Sequence, residues 1–147
     1  MRIRFTLNGL GVQADIRTDE TLGEVLRREL GLLSVRETCG IGVCGACTIL
    51  LDGDTISSCL LLAPLAGGRE ITTVEGLGGD HPVQRAFSDT HAFQCGYCTP
   101  GMILTVVRLL EESPHPTEEE IRLALAGNLC RCGCYVKIIN AVKRAAS

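Results

Sequence analysis

The sequence predicts an α+β chain in two parts, a strand-rich N-terminal half and a helical C-terminal half, each folded around its own cysteines. Three observations carry that prediction. Hydrophobic residues alternate through the early segments, then recur at helical spacing beyond about residue 80. A glycine-rich stretch, Glu75-Gly76-Leu77-Gly78-Gly79-Asp80, lies where the period changes. The nine cysteines fall in two runs, one on each side of that stretch.

The elements follow in order. Residues 2–7 alternate, Asn8-Gly9-Leu10-Gly11 supplies a turn, and Val12 to Ile16 alternates again, which reads as a β-hairpin. Asp19-Glu20-Thr21 then precedes Leu22, Val25, Leu26 and Leu30 at helical spacing, with Gly31 as a stop. A glycine-rich loop carries Cys39, Cys44 and Cys47. Thr48 to Leu51 and Thr55 to Ser58 form a second hairpin through Asp52-Gly53, and Ile71 to Val74 offers a last short strand. A hairpin followed by a helix packed across it resembles the start of the β-grasp fold of ferredoxins. The first domain is expected over 1–76 and a four-helix domain over 77–147. Its helices are expected at Val83–Phe93, Pro100–Leu110, Thr117–Gly127 and Val136–Ala145. Pro82 and Pro100 stand where first-turn prolines are favoured, and Thr117 with Glu120 makes a capping-box pattern.

Cysteine spacing carries the chemistry. The first run is Cys39-x4-Cys44-x2-Cys47, closed after eleven residues by Cys59. The second pairs Cys95-x2-Cys98 with Cys130-x-Cys132. Four thiolates meet the need of a [2Fe–2S] centre, two for each iron, and the first run has the plant-type ferredoxin spacing. Two such centres account for eight of the nine cysteines. Gly40, Gly42 and Gly45 let the loop turn sharply and aim N–H groups at sulfur. In the second half each cysteine pair lies beside a helix start, whose free N–H groups favour an anionic thiolate-ligated cluster.

Competing readings match less well. Disulfide frameworks belong to secreted chains; this N-terminus lacks the apolar core of a secretion signal, and its cysteine count is odd. Structural zinc usually sits between two C-x2-4-C knuckles, whereas here a triple has a lone fourth partner and the second set ends in C-x-C. A net charge of −3 with interspersed signs gives no basic patch for nucleic acid. No apolar run reaches membrane-span length, and the expected location is cytoplasmic. Gly40-x-Gly42 and Gly76-x-Gly78-Gly79 do not sit in a dinucleotide-binding turn. No nucleophile elbow is present, so no substrate chemistry is expected of this chain.

At three segments the sequence resembles the small iron–sulfur subunit of the molybdenum hydroxylases, the xanthine oxidase family that includes aldehyde oxidoreductases and CO dehydrogenases. They are Cys-Gly-Ile-Gly-Val-Cys-Gly-Ala-Cys-Thr at 39–48, Gln-Cys-Gly-Tyr-Cys-Thr-Pro-Gly-Met at 94–102, and Gly-Asn-Leu-Cys-Arg-Cys at 127–132. The resemblance implies an electron-transfer subunit. Electrons would pass from a molybdopterin centre on a large subunit through two [2Fe–2S] clusters to FAD on a medium subunit, or to another acceptor. It implies that Cys39, Cys44, Cys47 and Cys59 ligate one cluster and that Cys95, Cys98, Cys130 and Cys132 ligate the other, nearer molybdenum. Gln94 and Cys132 would lie against the pterin; a helix-end cap is the other reading of Gln94. The implied assembly is a heterotrimer, open to dimerisation. A stand-alone two-cluster ferredoxin-type carrier is the alternative, and a zinc-stabilised interaction module the third.

One departure concerns Cys134. The family usually reads Cys-Arg-Cys-Thr-Gly-Tyr, where this chain has Cys130-Arg131-Cys132-Gly133-Cys134-Tyr135. The ninth thiol either fills a small pocket or competes with Cys132 as a ligand. Arg131 either offsets cluster charge or points into solvent, and Tyr97 and Tyr135 either shield a cluster or pack. His81, His91 and His115 lack the Cys-x-His pairing of a Rieske centre and are expected at the surface or as caps.

Overall fold

The computed structural model describes every residue from Met1 to Ser147. Strands β1 (Arg2–Leu7) and β2 (Leu10–Asp15) pair antiparallel in full register, from Arg2 opposite Asp15 to Leu7 opposite Leu10. The turn between them is Asn8-Gly9, with φ of 50° and 81°. A two-residue type I′ turn needs two such left-handed residues, and Asn-Gly supplies them at least cost. Asp52 and Gly53 repeat the device, with φ of 51° and 88°, between β3 (Thr48–Leu51) and β4 (Asp54–Ser57).

Strand β5 (Glu70–Thr72) completes a five-stranded sheet in the order β2-β1-β5-β3-β4, with β1 and β5 its parallel pair. The sequence pattern places this last strand at Ile71 to Val74. It begins one residue earlier, and Val74 already opens a 3-10 turn that ends at Leu77. Asn8 fixes that end of the sheet: its Oδ1 accepts from Thr73 N at 2.8 Å and its Nδ2 donates to Thr73 Oγ1 at 3.0 Å.

Helix α1 (Leu22–Arg28) lies across the sheet and starts at a capping box of Thr21 and Glu24. It buries Leu22, Val25 and Leu26 completely against Ile3, Phe5, Leu7, Ile49 and Ile71. Glu20, just before the helix, is also buried at 2% exposure. A buried carboxylate needs partners. Arg17 N donates to it at 2.7 Å, Arg28 pairs with it, and the Arg17 guanidinium stands 3.3 Å away. The Arg17 N–H foremost, aided by both arginines, holds this carboxyl below its ordinary value.

The second half consists of α2 (Pro82–Asp89), α3 (Thr99–Glu112), α4 (Glu118–Ala124) and α5 (Tyr135–Ala145). Phe87, Met102, Leu104, Ile121 and Ile138 are its largest buried side chains. Helix α2 ends at Asp89 rather than at the expected Phe93, because the chain turns through His91 at φ 50°. Helix α4 ends early too, its last turn tightening into a 3-10 helix at Leu125–Gly127. No helix is long and apolar enough to cross a membrane.

Strand β3 joins the halves, and all four of its residues are buried. Ile49 and Leu51 face the α1 core, while Leu50 belongs to the helical core. A strand covered on both faces reads as an unbroken apolar run, which explains Thr-Ile-Leu-Leu. Beside it the backbones approach too closely for a side chain. A Cβ at Gly101 would stand 2.3 Å from Gly45 O, and one at Gly45 would stand 2.2 Å from Gly127 O.

Two outcomes are expected. Gly101→Ala should lower the midpoint of thermal unfolding. Alanine favours the helix by about 1 kcal/mol, but overpacking against backbone costs about 1–3 kcal/mol or more; equal or greater stability would contradict the contact. The second concerns Glu118, where Lys143 foremost, with Arg122, holds the carboxyl down to about 2, from 4.5. Its folded value is depressed, so its stabilisation is full above pH 4.5 and lost as pH falls toward about 2. Glu118→Gln should flatten the acid limb of stability across that window, measured by unfolding at graded pH.

Candidate metal centres

The first thiol set is built on the loop between α1 and β3. Gly40, Gly42 and Gly45 take φ of 66°, 75° and 69°, conformations that a side chain would strain. The turns aim backbone N–H groups inward. Those of Ile41 and Cys44, the Cys44 thiol and the Val43 N–H together favour the Cys39 thiolate and bring it down to about 6. Cys47 and Cys59 lie deeper, at 2% and 8% exposure. Burial, then the adjacent Cys47 thiol, pushes Cys59 up to about 11 against the Gly42 N–H.

The second set sits at two helix starts. Cys98 is the N-cap residue of α3, and Cys95 precedes it on a turn with Gly96 at φ 77°. Cys130 and Cys132 lie on the turn that enters α5, where Cys134 is the N-cap residue and Gly133 has φ 74°. Tyr97 N donates to Cys95 Sγ at 3.5 Å and Cys134 N to Cys130 Sγ at 3.4 Å. The Tyr97 N–H, then the Cys132 thiol, lowers Cys95. Burial works against Cys130, yet the N–H of Cys134, the Cys98 thiol and the N–H groups of Cys132 and Gly133 hold it low. Burial, then Cys130, pushes Cys98 up to about 12.

Within the two sets the sulfurs adjoin in twos, Cys39 with Cys44, Cys47 with Cys59, Cys95 with Cys132 and Cys98 with Cys130, and the ninth thiol, Cys134, also stands beside Cys130. No three Cys, His, Asp or Glu side chains converge as the ligands of one ion would. Two adjacent thiol pairs in each half are the donor set that a two-iron, two-sulfide group takes, two thiolates to each iron. Buried neighbouring thiolates repel one another, and a bound cation reverses that logic. Two polar groups near the thiols are also left without partners: Thr99 Oγ1, next to Cys98, and Arg36 Nε are buried and make no hydrogen bond in the chain. The residues present fit the group.

The two sets adjoin. Leu129 N, one residue before Cys130, donates to Cys44 O at 2.9 Å. A cavity of about 360 Å³ between them is lined by Cys44 and Ala46 from one half and by Cys95, Cys98 and Cys130 from the other. Asn128 is buried, donates to Gly45 O at 3.3 Å and accepts from Thr105 Oγ1 at 3.1 Å. Across the cavity mouth, Thr38 Oγ1 donates to the Tyr97 hydroxyl at 2.9 Å, and the Arg36 guanidinium lies 5.1 Å from the Tyr97 ring centre. Sequence reasoning passed over Asn128, Thr105, Thr38 and Arg36. The available signal was Gly127-Asn128, an uncharged polar residue directly before a ligand turn.

The remaining candidates divide. Gln94 is exposed and too far beyond Asp89 to cap α2, which removes the capping reading. Cys134 is buried in the helical core. Burial first, then the charge of Cys130, raises its thiol. Tyr135 does more than pack: its hydroxyl accepts from Cys130 N at 2.8 Å. Arg131 is exposed at the cavity rim. His81 caps α2, its Nδ1 accepting from Val83 N at 3.2 Å, while His91 is exposed.

Comparison with known proteins bears on the kind of group these thiols hold. A family model described as a 2Fe-2S iron-sulfur cluster binding domain matches residues 5–72, and one described as a [2Fe-2S] binding domain matches residues 73–143. The nicotinate dehydrogenase small FeS subunit of Eubacterium barkeri is 45% identical across 97% of this chain and 93% of its own. The xanthine dehydrogenase iron-sulfur-binding subunit of Escherichia coli O157:H7 is 49% identical across 95% and 91%. Among solved structures, quinoline 2-oxidoreductase from Pseudomonas putida 86 superposes with a TM-score of 0.96 at 44% identity, covering 99% of this chain and 92% of the matched one.

Tyr135→Phe tests the ligand turn. One partly exposed hydrogen bond contributes about 1 kcal/mol, so stability should fall only slightly. Bleaching of the visible iron–sulfur absorbance under an iron chelator should quicken. An unchanged bleaching rate would mean that the hydroxyl does not hold the turn.

Proposed function

The chain belongs to the family of small iron–sulfur subunits of the molybdenum hydroxylases, and from that premise we propose a two-centre relay carrying electrons from a molybdopterin group on a large subunit to FAD on a medium subunit. As the family's small subunit, it serves electron transfer in an oxidoreductase complex. The observation that carries the finer reading is the pairing of thiols in two adjoining sets. We assign Cys39 and Cys44, with Cys47 and Cys59, to one centre, and Cys95 and Cys132, with Cys98 and Cys130, to the other. The division between the halves falls at Gly76.

Each [2Fe–2S] group, when bound, takes up and releases one electron at a potential set by its surroundings. The chain's own part is to hold and insulate. Glycine-rich loops and helix starts turn N–H groups toward sulfur, so the added negative charge is met by fixed dipoles. The bond from Leu129 N to Cys44 O connects the backbone of a first-set ligand to the neighbour of a second-set ligand, a direct contact between the halves. Gln94, exposed beside exposed Cys95, presents a donor and an acceptor suited to a pterin edge, as does the half-buried Cys132 turn.

Exposed apolar side chains flank both sets. Ile41, Val43 and Leu60 adjoin the first set in sequence, and Phe93, Leu129 and Val136 adjoin the second; their exposures run from 41% to 72%. Such side chains support partner chains on both sides and weigh against a free carrier. Substrate choice then belongs to the large subunit, and the assembly is a cytoplasmic heterotrimer.

Native purification should recover the chain with two larger ones, red-brown, with acid-labile sulfide and about four irons per small chain. Cys47→Ser should weaken one electron paramagnetic resonance signal and spare the other; Cys98→Ser should do the reverse. Cys134→Ala should leave both intact. Loss of both signals from folded protein in either serine variant would overturn the two-centre assignment, and colourless protein with stoichiometric zinc would remove the relay.

A further inference from the structure

Thr99 opens α3 directly after Cys98, and its hydroxyl is buried with no hydrogen-bond partner in the chain. Other threonines of the helical half find acceptors. Thr105 donates to Gly101 O at 2.9 Å and also to Asn128, and Thr90 donates to Ala86 O at 2.8 Å. Each uses the carbonyl four residues back. For Thr99 that carbonyl belongs to Cys95, in the irregular ligand turn, and the hydroxyl does not take it.

Leaving a hydroxyl buried and unpaired costs about 1–3 kcal/mol, and an apolar side chain of the same shape avoids that cost. Valine would fill this position equally well in a purely structural role. We propose that the Thr99 hydroxyl is a hydrogen-bond donor kept for sulfur at the second centre, and that it raises the reduction potential of that centre. The inference rests on the assignment of Cys95, Cys98, Cys130 and Cys132 to one [2Fe–2S] group. A hydrogen bond to sulfur favours the reduced form, which carries one more negative charge, and so draws the potential upward. The effect is expected at the second centre, because Thr99 directly follows its ligand Cys98 at the start of α3. Thr99 is thus a potential-setting residue that makes no bond to iron.

The test is a redox titration of the intact complex followed by electron paramagnetic resonance, comparing wild type with Thr99→Val and Thr99→Ser. Cys98→Ser first identifies the second centre's signal; if that variant spares both signals, the ligand assignment fails, independently of Thr99. In Thr99→Val that signal's midpoint should fall, so that its reduced-to-oxidised ratio at a fixed potential drops about tenfold, equivalent to about 59 mV for one electron. The other signal should not move, and Thr99→Ser should restore the wild-type midpoint. Where valine impedes loading, Thr99→Ala carries the same expectation. Unchanged midpoints with both signals at full intensity, or a serine variant shifted as far as valine, would each overturn the proposal.

Discussion

A single backbone crossing, too close for any Cβ, governs how this molecule is put together. Gly45 of the first ligand loop sits against Gly127 O, and Gly101 of α3 sits against Gly45 O. Only hydrogen side chains at Gly45 and Gly101 allow the helical half to press onto the loop. The buried amide of Asn128 then reaches Gly45 O, and Leu129 N reaches Cys44 O. These contacts are directional, so they fix one half against the other more sharply than apolar packing alone. The adjoining of the two thiol sets follows from them.

The sulfur environments show the cost of such a site before any metal arrives. The thiols crowd one another, several of them partly buried, and burial together with the adjacent thiol raises Cys59 and Cys98 well above an ordinary thiol. A metal-free chain carries those strains together with glycine turns that contribute little burial of their own. With 3% aromatic residues and no tryptophan, neither core is large. Metal binding and folding are expected to be strongly coupled in such small units. The N–H groups aimed at Cys39 and Cys130 serve both ends, orienting the ligands and meeting their charge.

Strand β3 and the capping devices complete the account of rigidity. β3 gives Ile49 and Leu51 to one core and Leu50 to the other, so neither half moves without disturbing the sheet. Capping boxes at Thr21 and Thr117, and His81 at the start of α2, fix helix starts whose residues position the cores around the ligands. An electron carrier benefits from this stiffness, because a ligand frame that shifts little between charge states costs little reorganisation.

Much of this was legible in the chain, for identifiable reasons. Asn8-Gly9 and Asp52-Gly53 specify their turns locally, through left-handed backbone that those residues adopt readily. The alternation of β1 and the capping pattern at Thr117 are equally local. Where local rules competed with packing, the sequence misled: α2 ends at Asp89 because His91 takes φ 50°, and β5 starts at Glu70 because pairing with β1 and β3 decides its limits. By itself the sequence grouped Cys39, Cys44 and Cys47, Cys95 and Cys98, and Cys130 and Cys132 by their short spacings, since spacing within one turn is a local property. Only the tertiary structure decided which thiols pair, that Cys44 and Cys130 adjoin through Leu129, and that the Thr99 hydroxyl is left unpartnered. Those facts depend on contacts between residues far apart in the chain, and such contacts leave no periodic trace along it.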